Sequence, residues 1–111
     1  MSKTRNFAAM SILKDKAFVF GGFKSFDNAR REIEVLDLVA ERARWELMTA
    51  VLPTPRANLA VGPINDREIA ILGGKSDMDN SYRDVLILNT VDQSIRVAIE
   101  DIGFEYEVRS Q

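Results

Sequence analysis

The chain has 111 residues, 46% of them hydrophobic and 29% charged, the composition of a globular chain rather than a disordered one. Its 15 basic and 17 acidic residues leave a formal net charge of -2, so nothing prepares it for a phosphate backbone and no nucleic-acid partner is expected. It has no cysteine and no histidine, which excludes disulfides, Cys- or His-based metal sites and a Ser-His-Asp triad within the chain.

In chain order, residues 7–12 read as a first strand, followed by a turn at Lys14-Asp15-Lys16. The apolar run Ala17-Phe18-Val19-Phe20 forms a second strand, 17–21, closed by Gly21-Gly22. Paired glycines after a strand permit positive φ and close backbone approach. A loop over 23–31 leads to a third strand, 33–38, and a fourth at 44–48. Taken alone, residues 32–48 also fit a helix, with Leu36, Val39, Ala40, Ala43 and Leu47 on one face. Glu41, Arg42 and Arg44 are good helix formers.

The second half decides between the two. It reads as strands at 58–62, 68–73, 84–89 and 94–99, with a turn at Asn65-Asp66-Arg67. Gly73-Gly74 lies 52 residues after Gly21-Gly22, and the same offset sets Val85-Leu86-Ile87-Leu88-Asn89 on Ile33-Glu34-Val35-Leu36-Asp37. At an offset of 51, Arg56 falls on Arg5 and Asn58 on Phe7. The Val85 segment is β-rich and ends in turn chemistry, so both copies are read as strands. Asp37 and Asn89 are expected to start the next turn by accepting a backbone N–H.

An Arg, an apolar strand ending in Gly-Gly, a strand ending near Asp and a spaced Trp occur in that order: Arg5, Gly21-Gly22, Asp37 and Trp45. The second half supplies Arg56, Gly73-Gly74 and Asn89, with Val97 where Trp is expected. This pattern, repeating near 50 residues, resembles the kelch repeat. The resemblance covers about residues 5–100; Leu36 and Leu88 stand where the family favours an aromatic. It implies an all-β fold of two four-stranded antiparallel blades forming an incomplete β-propeller. The first repeat would span 5–51 and the second 56–101 of one domain, 1–111, with 102–111 as an extra edge strand. It also implies that Trp45 buries its ring between blades, and that Phe7 and Asn58 point to a central channel.

Two blades leave open edges and half-covered faces. The sequence therefore reads as part of a longer propeller or a divergent short member. Self-association into a ring, for example three chains giving six blades, is the second reading.

The landmark glycines, Asp37, Asn89 and Trp45 read as structural. Function belongs to loops, and the resemblance sets the 23–31, 49–56 and 75–83 segments on one face, which in the family commonly holds protein partners. The candidate binding residues are Phe7, Phe23, Phe26, Arg30, Arg31, Arg56, Asn58, Tyr82 and Arg83, since aromatic and Arg residues dominate interface energetics. The expected function is a non-catalytic protein-interaction module or scaffold with a protein partner. A self-assembling structural component, and a fragment of a propeller enzyme acting on sugars, are the alternatives; missing His and Cys count against metal-radical oxidation. Residues 75–80 alternate oxygen-bearing side chains but lack the Gly and closing Glu of a calcium loop. No cofactor or metal is expected. With no apolar run near the ~20 residues of a membrane span and no secretion-signal core in residues 1–14, the expectation is a cytoplasmic protein without a membrane partner.

Overall fold

The computed structural model describes residues 5–25, 28–76 and 80–102. Among these residues the fold is all-β and antiparallel. No helix is present among them, so none is long and apolar enough to cross a membrane.

The first sheet comprises β1 (Ala9–Leu13), β2 (Lys16–Phe20), β5 (Glu32–Asp37) and β6 (Glu46–Val51), in the order β1-β2-β5-β6. A small hairpin of β3 (Phe23–Ser25) and β4 (Asn28–Ala29) interrupts it in sequence. The second sheet comprises β7 (Ala60–Pro63), β8 (Glu68–Leu72), β9 (Val85–Asn89) and β10 (Ser94–Ile99), and each strand pairs with its sequence neighbour. Eight expected strands are therefore present, and the helix-like segment 32–48 is β5, a turn and β6. The expected edge strand at 102–111 falls almost wholly outside the described residues; Ile102 itself is in no strand.

The structural repeat extends to individual backbone bonds. The Gly21 N–H donates to Glu32 O as Gly73 N–H does to Asp84 O, at 3.2 and 3.1 Å. Arg30 N–H donates to Gly22 O as Tyr82 N–H does to Gly74 O, at 2.7 and 2.8 Å. Asp37 Oδ1 accepts from Val39 N–H, and Asn89 Oδ1 accepts from Val91 N–H, so both start their turns as expected. The first strand of each half begins two residues later than expected. Phe7 and Asn58 adopt left-handed backbone, with φ of 60° and 56°, which ends extended structure there.

Alternation along the strands defines the core. In the first sheet Phe18 pairs with Val35 and Phe20 with Ile33 on one face. In the second, Ile69 pairs with Leu88 and Ile71 with Leu86. These faces pack on each other, joined by Met48, Ala50, Leu52 and Leu59, into one buried cluster. Each fully buried large side chain contributes about 1.5–3 kcal/mol of apolar transfer. At the offset of 52, Phe18 and Phe20 correspond to Ala70 and Leu72, which lie on the second sheet's other face. The sheets therefore stack head-to-tail.

The fourth strands correct one expectation. Val35 pairs with Glu46, and Ile87 pairs with Arg96, so Glu46 corresponds to Arg96 and Trp45 to Ile95, not Val97. Trp45 is half-buried and is not part of the buried core cluster, whereas Ile95 packs against that cluster.

Candidate functional site

The loop end of the sheets is organised by the two glycine pairs. Gly21 and Gly22 have φ of 60° and 98°. A Cβ on Gly21 would lie 2.1 Å from Arg56 O, so only glycine lets the start of the second half approach this closely. The Gly22 N–H donates to Arg56 O at 2.8 Å, and Arg56 N–H donates to Arg30 O at 3.0 Å. The expected convergence of the 23–31, 49–56 and 75–83 segments has its geometric basis here. Leu52 N–H donates to Arg31 O at 2.9 Å, and Ala57 and Lys75 exchange two backbone bonds at 2.8 Å.

Phe7 and Phe23 form an edge-to-face pair, with centroids 6.3 Å apart and planes at 83°. Phe23 is half-buried, while Phe7 is 68% exposed. Asn58 is also exposed and lies alongside, its N–H donating to Phe7 O at 2.9 Å. Arg31 is exposed and its Nε donates to Leu52 O at 3.1 Å. Arg30 is half-buried, 3.8 Å from Glu32. These five residues belong to one end of the molecule. Phe26 lies outside the described residues.

Arg56 is placed differently. It is buried, with Nη1 donating to Gly73 O at 3.1 Å, Nη1 and Nη2 held by the Asp84 carboxylate, and Nε donating to Thr54 Oγ1 at 3.0 Å. Tyr82, half-buried, stacks its ring on this guanidinium at 4.1 Å. Both side chains are thereby committed to the glycine corner of the second half. Arg83 reaches Asp101 at 3.2 Å, tying the 80–84 segment to the end of β10.

Sequence reasoning named Arg5 as a landmark but missed its partner Glu34. Arg5 donates through Nε and Nη2 to Glu34 Oε2, at 3.0 and 2.8 Å, and through Nη1 to the carbonyls of Gly21 and Glu32. Both side chains are fully buried. One signal existed in the sequence: Glu34 stands where the second half has Leu86.

At the opposite end of the sheets, a cleft of about 600 Å³ runs between the two halves, lined by Lys14, Lys16 and Arg67 and by Asp15, Asp37 and Asp66 among others. Its charges are of mixed sign. No group of three metal-ligating side chains occurs among the described residues. No protein-family model matches the chain, and no curated protein matches it.

Proposed function

We propose that this chain is a non-catalytic protein-interaction module of two kelch-type blades, which binds a protein partner through the Phe7 end. The blade reading is supported by the order of its landmarks, by the two four-stranded antiparallel sheets and by their head-to-tail stacking.

Phe7 is the observation that carries the binding reading. Position 7 and its counterpart 58 both require left-handed backbone. The second half fills this position with Asn, which tolerates the conformation; the first fills it with Phe, which does not. Left-handed backbone costs an L-residue about 1–2 kcal/mol, and an exposed ring gains little from burial in return. A bulky aromatic held out of the core at a strained position beside a second aromatic has the character of an interface anchor. Arg31 and Asn58 flank it with exposed polar groups that suit a polar rim.

Phe7→Asn separates binding from folding. Relief of strain, about 1–2 kcal/mol, opposes loss of the ring pair, about 0.5–1.5 kcal/mol, so stability should stay within about 1 kcal/mol of the parent. A displayed peptide library panned on the parent chain should yield ligands that bind Phe7→Asn at least about 30-fold more weakly, the effect of losing an anchor of about 2 kcal/mol. Ligands that bind both chains equally would overturn the assignment of this face.

A further inference from the structure

The interface joining the two halves is not self-complementary. The first sheet contributes the face with Phe18, Phe20 and Ile33; the second contributes the face with Ile69, Ile71, Leu86 and Leu88. The counterparts of these residues occupy the outward faces. Phe20 and Ile33 correspond to Leu72 and Val85, which pair with each other on the second sheet's outer face. Ile71 and Leu88 correspond to Val19 and Leu36, on the first sheet's outer face. At the centre of the first sheet's outer face Ala17, Val19 and Glu34 are already buried, so what the molecule leaves open on that side is the apolar margin around them.

Both outward faces are apolar at their margins. On the first sheet Met10, Ile12 and Leu47 are 56%, 57% and 53% exposed, in register with Val19, Ala17 and Glu34. Glu34 is neutralised there by Arg5, so its charge does not oppose a covering surface. On the second sheet Ala60 and Ile99 are exposed at either end of the row that runs through Leu72 and Val85.

The glycine corner repeats as well. Gly21 and Gly22 receive the backbone of Arg56, the residue that opens the second half. Gly73 and Gly74 build the same corner, with φ of 62° and 104° and the same bond from Tyr82 N–H to Gly74 O. Among the described residues only Tyr82 O lies within 4 Å of a Cβ on Gly73. The chain opens its first half with an equivalent arginine, Arg5.

We propose that a second copy of this chain packs head-to-tail on the first, its first-sheet outer face covering the second-sheet outer face and its Arg5 segment seated on the Gly73-Gly74 corner. The occupant is assigned by continuity: a second copy carries the surface that the equivalent face already accepts within the chain. Such an interface is heterologous, so association closes a ring or continues as a filament. A closed propeller of about four to eight sheets would contain two to four chains.

Sedimentation of the full chain from micromolar to submillimolar concentration tests this. The expected result is mass that rises with concentration to a closed oligomer or filament. Ile12→Glu blocks one face and Ala60→Glu the other, at exposed positions where the fold is retained by far-ultraviolet circular dichroism. Each variant alone should stay monomeric, and an equimolar mixture should stop at a dimer, since one good copy of each face remains. A parent chain that is monomeric throughout overturns the proposal. So does assembly that survives in either variant, or a mixture that forms no dimer. Ile12 lies at the opposite end of β1 from Phe7, so panned ligands that bind the monomeric Ile12→Glu variant as they bind the parent leave the loop-face reading standing whatever the assembly result, and the two failures are distinguishable.

Discussion

Arg5 and Arg56 open the two halves, and each buries its guanidinium against the carbonyl of the first glycine of a pair, Gly21 or Gly73. They differ in what neutralises them. Arg5 is held by Glu34, inside β5, with both side chains fully buried. Arg56 is held by Asp84, just before β9, whose side chain is 19% exposed, and by the face of Tyr82. Glu34 occupies the position of Leu86, and Asp84 the position of Glu32. The constant element is thus the bond from arginine to glycine carbonyl, which fixes the strand start on the corner. The carboxylate can come from either of two neighbouring positions, at different cost. A carboxylate within the strand is removed from water altogether, so it depends entirely on its arginine.

The largest effects should follow from that dependence. Glu34→Ala leaves Arg5 buried without its counter-charge and should cost about 3–5 kcal/mol in denaturant unfolding. Asp84→Ala leaves Arg56 with its carbonyl, its hydroxyl and its aromatic partner, and should cost about 1.5–3 kcal/mol. Equal losses would mean that burial does not distinguish the two anchors. The glycines give a second, smaller contrast. Gly21→Ala and Gly73→Ala both place an L-residue in left-handed backbone, costing about 1–2 kcal/mol. At Gly21 the new methyl also meets Arg56 O at 2.1 Å, whereas at Gly73 the nearest described atom is Tyr82 O at 3.1 Å. Gly21→Ala should therefore be worse than Gly73→Ala by about 1–3 kcal/mol. A reversed order, measured by thermal unfolding, would show that the corner joining the halves can yield.

The repeat also explains what could be read from the sequence. The β5 segment alone suited a helix as well as a strand; its counterpart Val85–Asn89 did not, and the shared offset transferred the answer. Asp37 and Asn89 act locally, through bonds from N–H groups two residues on, and the glycine pairs act through their own positive φ, so their roles were legible. Arg5 and Glu34 are 29 residues apart, and only the completed sheet brings them together. The pairing of Trp45 with Val97 failed because the fourth strands are displaced relative to the third. Val35 and Glu46 pair across 11 positions and Ile87 and Arg96 across 9, so the connection from third to fourth strand is two residues longer in the first half. Residues added in a turn change every later correspondence, and composition does not mark where they fall. The β3–β4 hairpin went unread because its strands are too short for alternation to register.

The smallest expected effect lies at the turn ends of the sheets, where the two halves reverse their charges. Lys16 and Glu46 of the first half correspond to Glu68 and Arg96 of the second. Lys16 and Glu46 line a cleft of about 520 Å³ beside Val35 and Asp37. Glu68 and Arg96 close on each other at 2.6 Å, and Asn65 Nδ2 adds a bond to Glu68 Oε1 at 2.9 Å. The Arg96 guanidinium, and then the Asn65 amide, hold the Glu68 carboxyl below its usual range. A carboxyl depressed in the folded state stabilises it above the unfolded carboxyl's range, and this contribution is lost as the pH falls through the folded value. Glu68→Gln should therefore be slightly less stable than the parent at neutral pH, and the difference should shrink on acidification below the ordinary carboxylate range. An unchanged difference across that range would mean that the charge of Glu68 does not stabilise the fold, and the contrast between the two corners would be one of shape alone.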